Sequence, residues 1–357
     1  MSGTSFDGID ISYVKTNGTS LTNKENHFYE YKSTYKEILY SILSDPEKLF
    51  NDRTLKRKLD KIVSIEHFKA IRNFKFLKEI EYIGFHGQTI YHNPNEKLSV
   101  QLGDPQLLAN LIRKKVIAKF RNNDLKYNGC GAPLAPIYHK YLIKKNSFPL
   151  PSCIINIGGV SNLTFWDGKN LIGFDTGPGN GFIDNFVYIN TGKFFDYNGK
   201  FAFKGHIHNE TIKKFIKDPF FDQSPPKSLD RNSFDYVYNE VRNLDASFYD
   251  KITTLSQLTI QSIIKAIEVL PTYPKSIAYV GGGQKNNYLM SNLDRHFHKI
   301  KNCTSKLIDK IDFIESELIS FLSARHVYSL PFTFPKTTGV TKPLSGGSLY
   351  HPLKKSI

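Results

Sequence analysis

The run Leu-Ile-Gly-Phe-Asp-Thr-Gly-Pro-Gly-Asn (residues 171–180), leading into Gly-Phe-Ile-Asp-Asn-Phe-Val-Tyr-Ile, decides how this chain is read. An apolar stretch ends in the carboxylate of Asp175, the backbone turns through Thr176, Gly177, Pro178 and Gly179, and a helical pattern follows. A strand fixes a carboxylate and bare glycine backbone lets a ligand approach closely, so this order suits a catalytic acid. It equally suits an acid that caps the following helix. The stretch alone leaves both open.

Working outward, two further glycine turns follow apolar strands. Residues 153–157 form a strand, Gly158-Gly159 a turn, and residues 160–166 a returning strand; residues 277–280 run into Gly281-Gly282-Gly283, with Asn286 and Asn287 opening a helix. A third turn lies at the start, where Ser2-Gly-Thr-Ser-Phe-Asp-Gly8 precedes the alternating residues 9–14. The hairpins at the start of each half repeat one architecture. Glycine turns expose backbone N–H groups and grip phosphates well, especially before a helix N-terminus. Neither G-x-x-x-x-G-K-[ST] nor G-x-G-x-x-G after a first strand is present, which argues against P-loop and Rossmann sites.

At 357 residues the chain exceeds one typical core, so two domains of roughly 150 residues each are expected. No apolar run is long enough to span a membrane, and the first residues show neither a basic leader nor an apolar segment, so a soluble protein of the cytoplasm is expected. The three cysteines, Cys130, Cys153 and Cys303, have no C-x-x-C spacing and indicate neither a disulfide framework nor a zinc site. The net charge of +15 is scattered over lysine pairs such as Lys114-Lys115 and Lys213-Lys214, and no nucleic-acid-binding motif accompanies it.

The remaining pattern places helices within residues 34–76, broken at Asp45-Pro46, and at 105–113, 253–270 and 312–330. Residues 82–91 read as one buried strand ending in the polar groups His86, Gln88 and Thr89; 28–31, 98–102 and 116–120 read as further strands, the last delivering Arg121 and Asp124 to a loop. The Gly/Pro-rich run 128–136 looks like a domain crossover, and 222–232 like an exposed loop.

Two hairpin turns plus a late Gly-Gly-Gly resemble the sugar kinase, Hsp70 and actin superfamily. Within it, Met-Ser-Gly-Thr-Ser-Phe-Asp-Gly-Ile-Asp (1–10), Gly-Phe-His-Gly-Gln-Thr-Ile-Tyr-His (84–92), Gln-Leu-Gly-Asp (101–104) and Phe-Arg-Asn-Asn-Asp (120–124) resemble the anhydro-N-acetylmuramic acid kinase family. Gly-Ala-Pro-Leu-Ala-Pro (131–136), Asn-Ile-Gly-Gly-Val-Ser-Asn-Leu-Thr (156–164), Gly-Phe-Asp-Thr-Gly-Pro-Gly-Asn (173–180), Pro-Pro-Lys-Ser (225–228), Thr-Leu-Ser-Gln-Leu-Thr (254–259) and Gly-Gly-Gly-Gln-Lys-Asn (281–286) continue the likeness along the chain.

This resemblance implies a two-domain α/β fold of the actin-like kind with an ATP cleft between the domains. Residues 1–134 with a returning tail at 324–357 would form one domain, and 135–323 the other. It implies an ATP- and Mg²⁺-dependent kinase that opens 1,6-anhydro-N-acetylmuramate with water and phosphorylates O6, giving N-acetylmuramate 6-phosphate and ADP in cell-wall recycling. Asp175 would be the catalytic base. Gly3, Thr4, Ser5, Phe6, Asp7, Gly8 and Asp10, with Gly158, Gly159, Gly281, Gly282, Gly283 and Asn286, would hold ATP, and Asp7 would meet the metal through water. His86, Gln88, Thr89, Arg121, Asp124, Gly177, Asn180 and Glu315 would contact the sugar, Arg121 pairing with its lactyl carboxylate. A homodimer is implied, with no nucleic-acid or membrane partner.

The chain departs from the family pattern in places. The family has a strand before Met-Ser-Gly-Thr-Ser, so either the start is assigned late or that strand is absent, which would leave ladder partners unsatisfied. Lys119 replaces Asp, and Asn128 and Cys130 replace Gly and Gln. A related sugar kinase that opens no anhydro bridge, and a truncated ATP-binding homologue without catalysis, are the competing expectations.

Overall fold

The computed structural model describes residues 1–3, 7–43, 48–229, 233–298, 303–306, 308 and 311–354. They form a mixed α/β protein of two compact units: 1–134, 313–335 and 340–357 in the first, 135–312 and 336–339 in the second. Twelve strands are described: β1 (Gly8–Thr16), β2 (Leu21–Glu30), β3 (Tyr82–Phe85), β4 (Gln88–Asn93), β5 (Leu98–Leu102), β6 (Lys115–Ala118), β7 (Ser152–Ile157), β8 (Val160–Trp166), β9 (Leu171–Pro178), β10 (Ser276–Val280), β11 (Thr304–Lys306) and β12 (Ser348–Tyr350).

The second unit is built on a five-stranded sheet ordered β11-β10-β7-β8-β9. β7 is its centre, parallel to β10 and antiparallel to β8. A strand flanked on both edges and covered on its faces reads as continuous apolar sequence, as Ser-Cys-Ile-Ile-Asn-Ile does. The helix Phe248–Glu268 packs on β9; the side chain of Ser247 accepts from Asp250 N–H, and the Asp250 side chain returns the bond in a capping box. Phe165, Phe174, Phe215 and Leu258 are sealed in this core, each worth about 1.5–3 kcal/mol of burial.

The first unit carries related pieces that are not joined into one sheet. The hairpin β1–β2 is separate from the three-stranded sheet β12-β6-β3, in which β3 and β6 are parallel. Among the described strands β1 pairs only with β2 and β3 only with β6. The Met1 amino group donates to the Asp10 carbonyl and the Asp10 N–H donates to the Met1 carbonyl, each at 2.8 Å, while Ser2 bridges in parallel to Gln88. A cavity lined by Ile9, Ile11, Tyr82 and Ile83 separates the two pieces, and the helix Ile314–Val327 packs on both β1 and β3.

The expected strand over 82–91 is two strands, because Gly87 at φ +76° breaks the run and β4 leaves to pair with β5. Residues 313–323, expected in the second domain, cluster with the first unit because that helix packs on β1 and β3.

Candidate functional site

Asp175 lies inside β9, three residues before its end, rather than at a strand terminus. The register against β8 shifts between Ser161, opposite Gly177, and Asn162, opposite Asp175, so Thr176 is the extra residue of a β-bulge. Bulges re-aim side chains next to functional sites. Asp175 does not cap the following helix: Gly181–Thr191 starts after Asn180, which makes no side-chain cap bond.

Asp175 is 7 % exposed. A carboxylate so enclosed needs donors. Its Oδ2 accepts from the Ser228 hydroxyl at 3.0 Å and from the Leu229 N–H at 2.8 Å. On the adjoining residues of β8 and β9, three buried oxygens have no hydrogen-bond partner among the described residues: Ser161 Oγ, Asn162 Oδ1 and Thr176 Oγ1. A buried oxygen of this kind takes a hydrogen bond from ordered water or from a ligand. Of the loop expected over 222–232, residues 222–224 are exposed as expected, whereas 225–229 turn inward, with Lys227 and Leu229 buried. Burial pushes the Lys227 ammonium down to about 8, the Asp222 charge opposing, and its Nζ donates to the carbonyls of Phe220 and Phe221. Residues 230–232 lie outside the described residues.

The other glycine turns of this unit collect at the same end of the sheet. Gly179, Asn180 and Gly181 donate their N–H groups to the carbonyls of Gly159, Gly158 and Gly159, which locks the two turns together. Thr259 donates to the Gly179 carbonyl at 2.8 Å. Gly281, at φ +82°, turns against Asn156 and Ile157 at the end of β7, and Gly283 packs on the Ile157 side chain so closely that any Cβ would collide. Gly282 faces Asn180, whose Oδ1 has no partner among the described residues. Asn286 is a helix cap: its Oδ1 accepts from Tyr288 and Leu289 N–H at the start of Asn287–His298. Gly177, at φ +151°, lies against Ser262.

In the first unit, His86, Gln88 and Thr89 sit where β3 gives way to β4. His86 is buried and its imidazole is pushed down to about 3, by burial first and then by the Arg121 charge, so it is neutral. Its Nδ1 lies 3.2 Å from the Gly87 carbonyl, which can only accept, so Nδ1 carries the proton and Nε2 is an acceptor without a described partner. Gln88, fully buried, donates from Nε2 to the Gly3 carbonyl at 2.9 Å and leaves Oε1 unpartnered; Thr89 Oγ1 is likewise unpartnered. His92, pushed down to about 3 by burial and Arg121, has two such nitrogens and was not singled out in the sequence.

Arg121 and Asp124 hold the crossover turn: Arg121 Nη1 donates to the Gly131 carbonyl at 2.7 Å, and Asp124 Oδ1 accepts from the Gly131 N–H at 2.6 Å. Glu315, in the first turn of the helix Ile314–Val327, is exposed. Asp10 is tied into the Met1 bonds, and Gly8 begins β1. Thr4, Ser5 and Phe6 lie outside the described residues. Among the described residues no group of three or more His, Cys, Asp or Glu could hold a metal, and no helix is long and apolar enough to cross a membrane. Ser228 is a contact that sequence reasoning missed; its signal was Pro-Pro-Lys-Ser, which carried the resemblance without a role.

Residues 1–352 match the family described as anhydro-N-acetylmuramic acid kinase. A protein of that name from Rhodopseudomonas palustris (strain HaA2) is 37% identical over 365 residues, covering 99% of this chain and 98% of the relative. Its namesakes from Zymomonas mobilis and Pelagibacter ubique are 35% and 37% identical, each covering 98% of this chain and 98% and 96% of the relative.

Proposed function

The chain belongs to the anhydro-N-acetylmuramic acid kinase family, and from that premise we propose that it uses ATP and water to convert 1,6-anhydro-N-acetylmuramate to N-acetylmuramate 6-phosphate and ADP, with Asp175 as the base. The observation that carries this reading is buried Asp175, its carboxylate gripped through one oxygen, on a strand pair that also carries the unpartnered oxygens of Ser161, Asn162 and Thr176. Water is a poor nucleophile, and a fixed carboxylate that takes its proton contributes typically about 10²–10⁴-fold. As the water oxygen bonds to the anomeric carbon, the bond from that carbon to O6 breaks. O6 then takes the γ-phosphoryl group, and ADP leaves.

Phosphoryl transfer asks for positioning and charge neutralisation. In this reading Gly3, Thr4, Ser5, Phe6, Asp7, Gly8 and Asp10 cradle phosphates in the first unit, and Gly158, Gly159, Gly281, Gly282 and Gly283 do so in the second. Asn286 serves by capping the helix that follows. Mg²⁺ enters with the nucleotide, since this cation is held by one or two carboxylates plus substrate phosphates rather than by a protein cage, which fits the lack of a three-ligand cluster among the described residues. Asp7 meets it through water. The neutral His86 accepts a sugar hydroxyl at Nε2, Gln88 and Thr89 add to the polar lining, and Gly177, Asn180, Asp124, Arg121 and Glu315 complete the substrate contacts. The protein works in the cytoplasm as a homodimer.

The test is incubation with ATP, Mg²⁺ and 1,6-anhydro-N-acetylmuramate in ¹⁸O-water, for the wild type and Asp175→Asn. One ¹⁸O at the anomeric carbon of a phosphorylated sugar, lost on substitution, is the expected result. A phosphorylated sugar without the label would replace this reading by simple hydroxyl phosphorylation.

A further inference from the structure

Resting on the reading of Asp175 as the base, we infer that Ser228, together with the Leu229 amide, is the positioning element of that base. Segment 225–229 is tied to β9 at a single residue from two directions. The Asp175 N–H donates to the Lys227 carbonyl at 3.0 Å, and the Asp175 carboxylate accepts from Ser228 Oγ and Leu229 N–H. Both donors, one side-chain hydroxyl and one backbone amide, meet the same oxygen, Oδ2. The carboxylate therefore cannot rotate about its Cβ–Cγ bond without losing both bonds at once, each charge-assisted. Rotation is the motion that would carry a base off the line to its water, and small misplacements of a reacting group are costly in rate.

The clamp is itself held on either side of Ser228. Leu229 is buried in the core of the second unit, and Lys227, 6 % exposed, spans back to the carbonyls of Phe220 and Phe221 with its Nζ over the Phe220 ring at 4.4 Å. Ser228 is left half-buried between these two anchors with its hydroxyl on the carboxylate. A serine needed for packing alone would not have to present its oxygen there.

The test compares Ser228→Ala, Ser228→Thr and Asp175→Asn with the wild type in steady-state kinetics and thermal unfolding. Ser228→Ala is expected to lower kcat about tenfold to a hundredfold, the range for losing one bond to a charged group, with both KM values within about twofold and a modestly lower melting temperature. Ser228→Thr, which keeps the hydroxyl, is expected to recover most of the rate. Ser228→Cys, close in volume but a weak donor, serves the same comparison if the alanine variant is poorly soluble. A normal kcat in Ser228→Ala, or equal losses in the alanine and threonine variants, overturns the inference. The base reading fails separately, if Asp175→Asn keeps its activity.

Discussion

The backbone N–H of Asp175 donates to the carbonyl of Lys227 at 3.0 Å, so the edge strand β9 is closed by a segment more than fifty residues later in the chain. An edge strand offers unpaired backbone groups, and covering it with a loop is one way proteins manage that exposure. Here the cover also brings the Ser228 hydroxyl and the Leu229 N–H to the carboxylate.

Lys227 is the anchor of that cover, and Lys227→Ala takes the ammonium from the Phe221 carbonyl and leaves the Phe220 carbonyl only the Gln223 N–H. An unsatisfied buried acceptor costs about 1–3 kcal/mol. The midpoint of urea unfolding should fall accordingly, and kcat should fall with it as segment 225–229 loosens. Unchanged stability together with unchanged kcat would dismiss the anchor.

Acid should unfold this protein early. His67, His86 and His139 are buried with imidazoles pushed down to about 3, chiefly by desolvation, and half-buried His92 shares that shift. Their folded values lie below the usual 6.5, so the unfolded chain binds more protons and stability falls as pH drops from about 6.5 towards 3. Each contributes up to about 1.4 kcal/mol per pH unit over that window. Urea midpoints measured between pH 7 and pH 4 check the slope, which His139→Gln should reduce; a flat profile would contradict it.

Gly177 sits at φ +151° against the Ser262 side chain, beside the bulge that aims Asp175. Gly177→Ala brings both backbone strain and a collision with the helix Phe248–Glu268. A loss of about 1–3 kcal/mol is expected, visible as a lower melting temperature with a reduced kcat. Wild-type behaviour in both would show that the backbone relaxes freely there.

His86→Phe keeps a ring of similar shape beside Phe85 and removes the unpartnered Nε2 acceptor. If that nitrogen receives a sugar hydroxyl, KM for the sugar should rise about tenfold while KM for ATP stays put. Steady-state kinetics with each substrate varied in turn decides it, and equal shifts in both constants would assign His86 to the fold instead.

Much of the local structure was legible because it depends on near neighbours in the chain. Alternation and apolar runs marked β5, β7, β8 and β10, Pro105 marked a first helical turn, and the glycine turns stood out by composition. The break between β3 and β4 was not legible, since a single left-handed glycine inside an apolar run looks the same whether the strand continues or leaves for another partner. The burial of segment 225–229 was hidden for a similar reason: two prolines, a lysine and a serine read as solvated until the Phe220 and Phe221 carbonyls and the Asp175 carboxylate are brought to them.

The sequence by itself determined the family, because its motifs occur in order along the whole chain, and it determined that Asp175 follows an apolar strand and precedes glycines. Only the tertiary structure decided what that acid touches. Its bulge depends on the register with β8, its donors come from Ser228 and Leu229, and its neighbours Ser161 and Asn162 arrive from another strand. These are contacts between residues far apart in sequence, set by which surfaces bury together, and no local propensity encodes them.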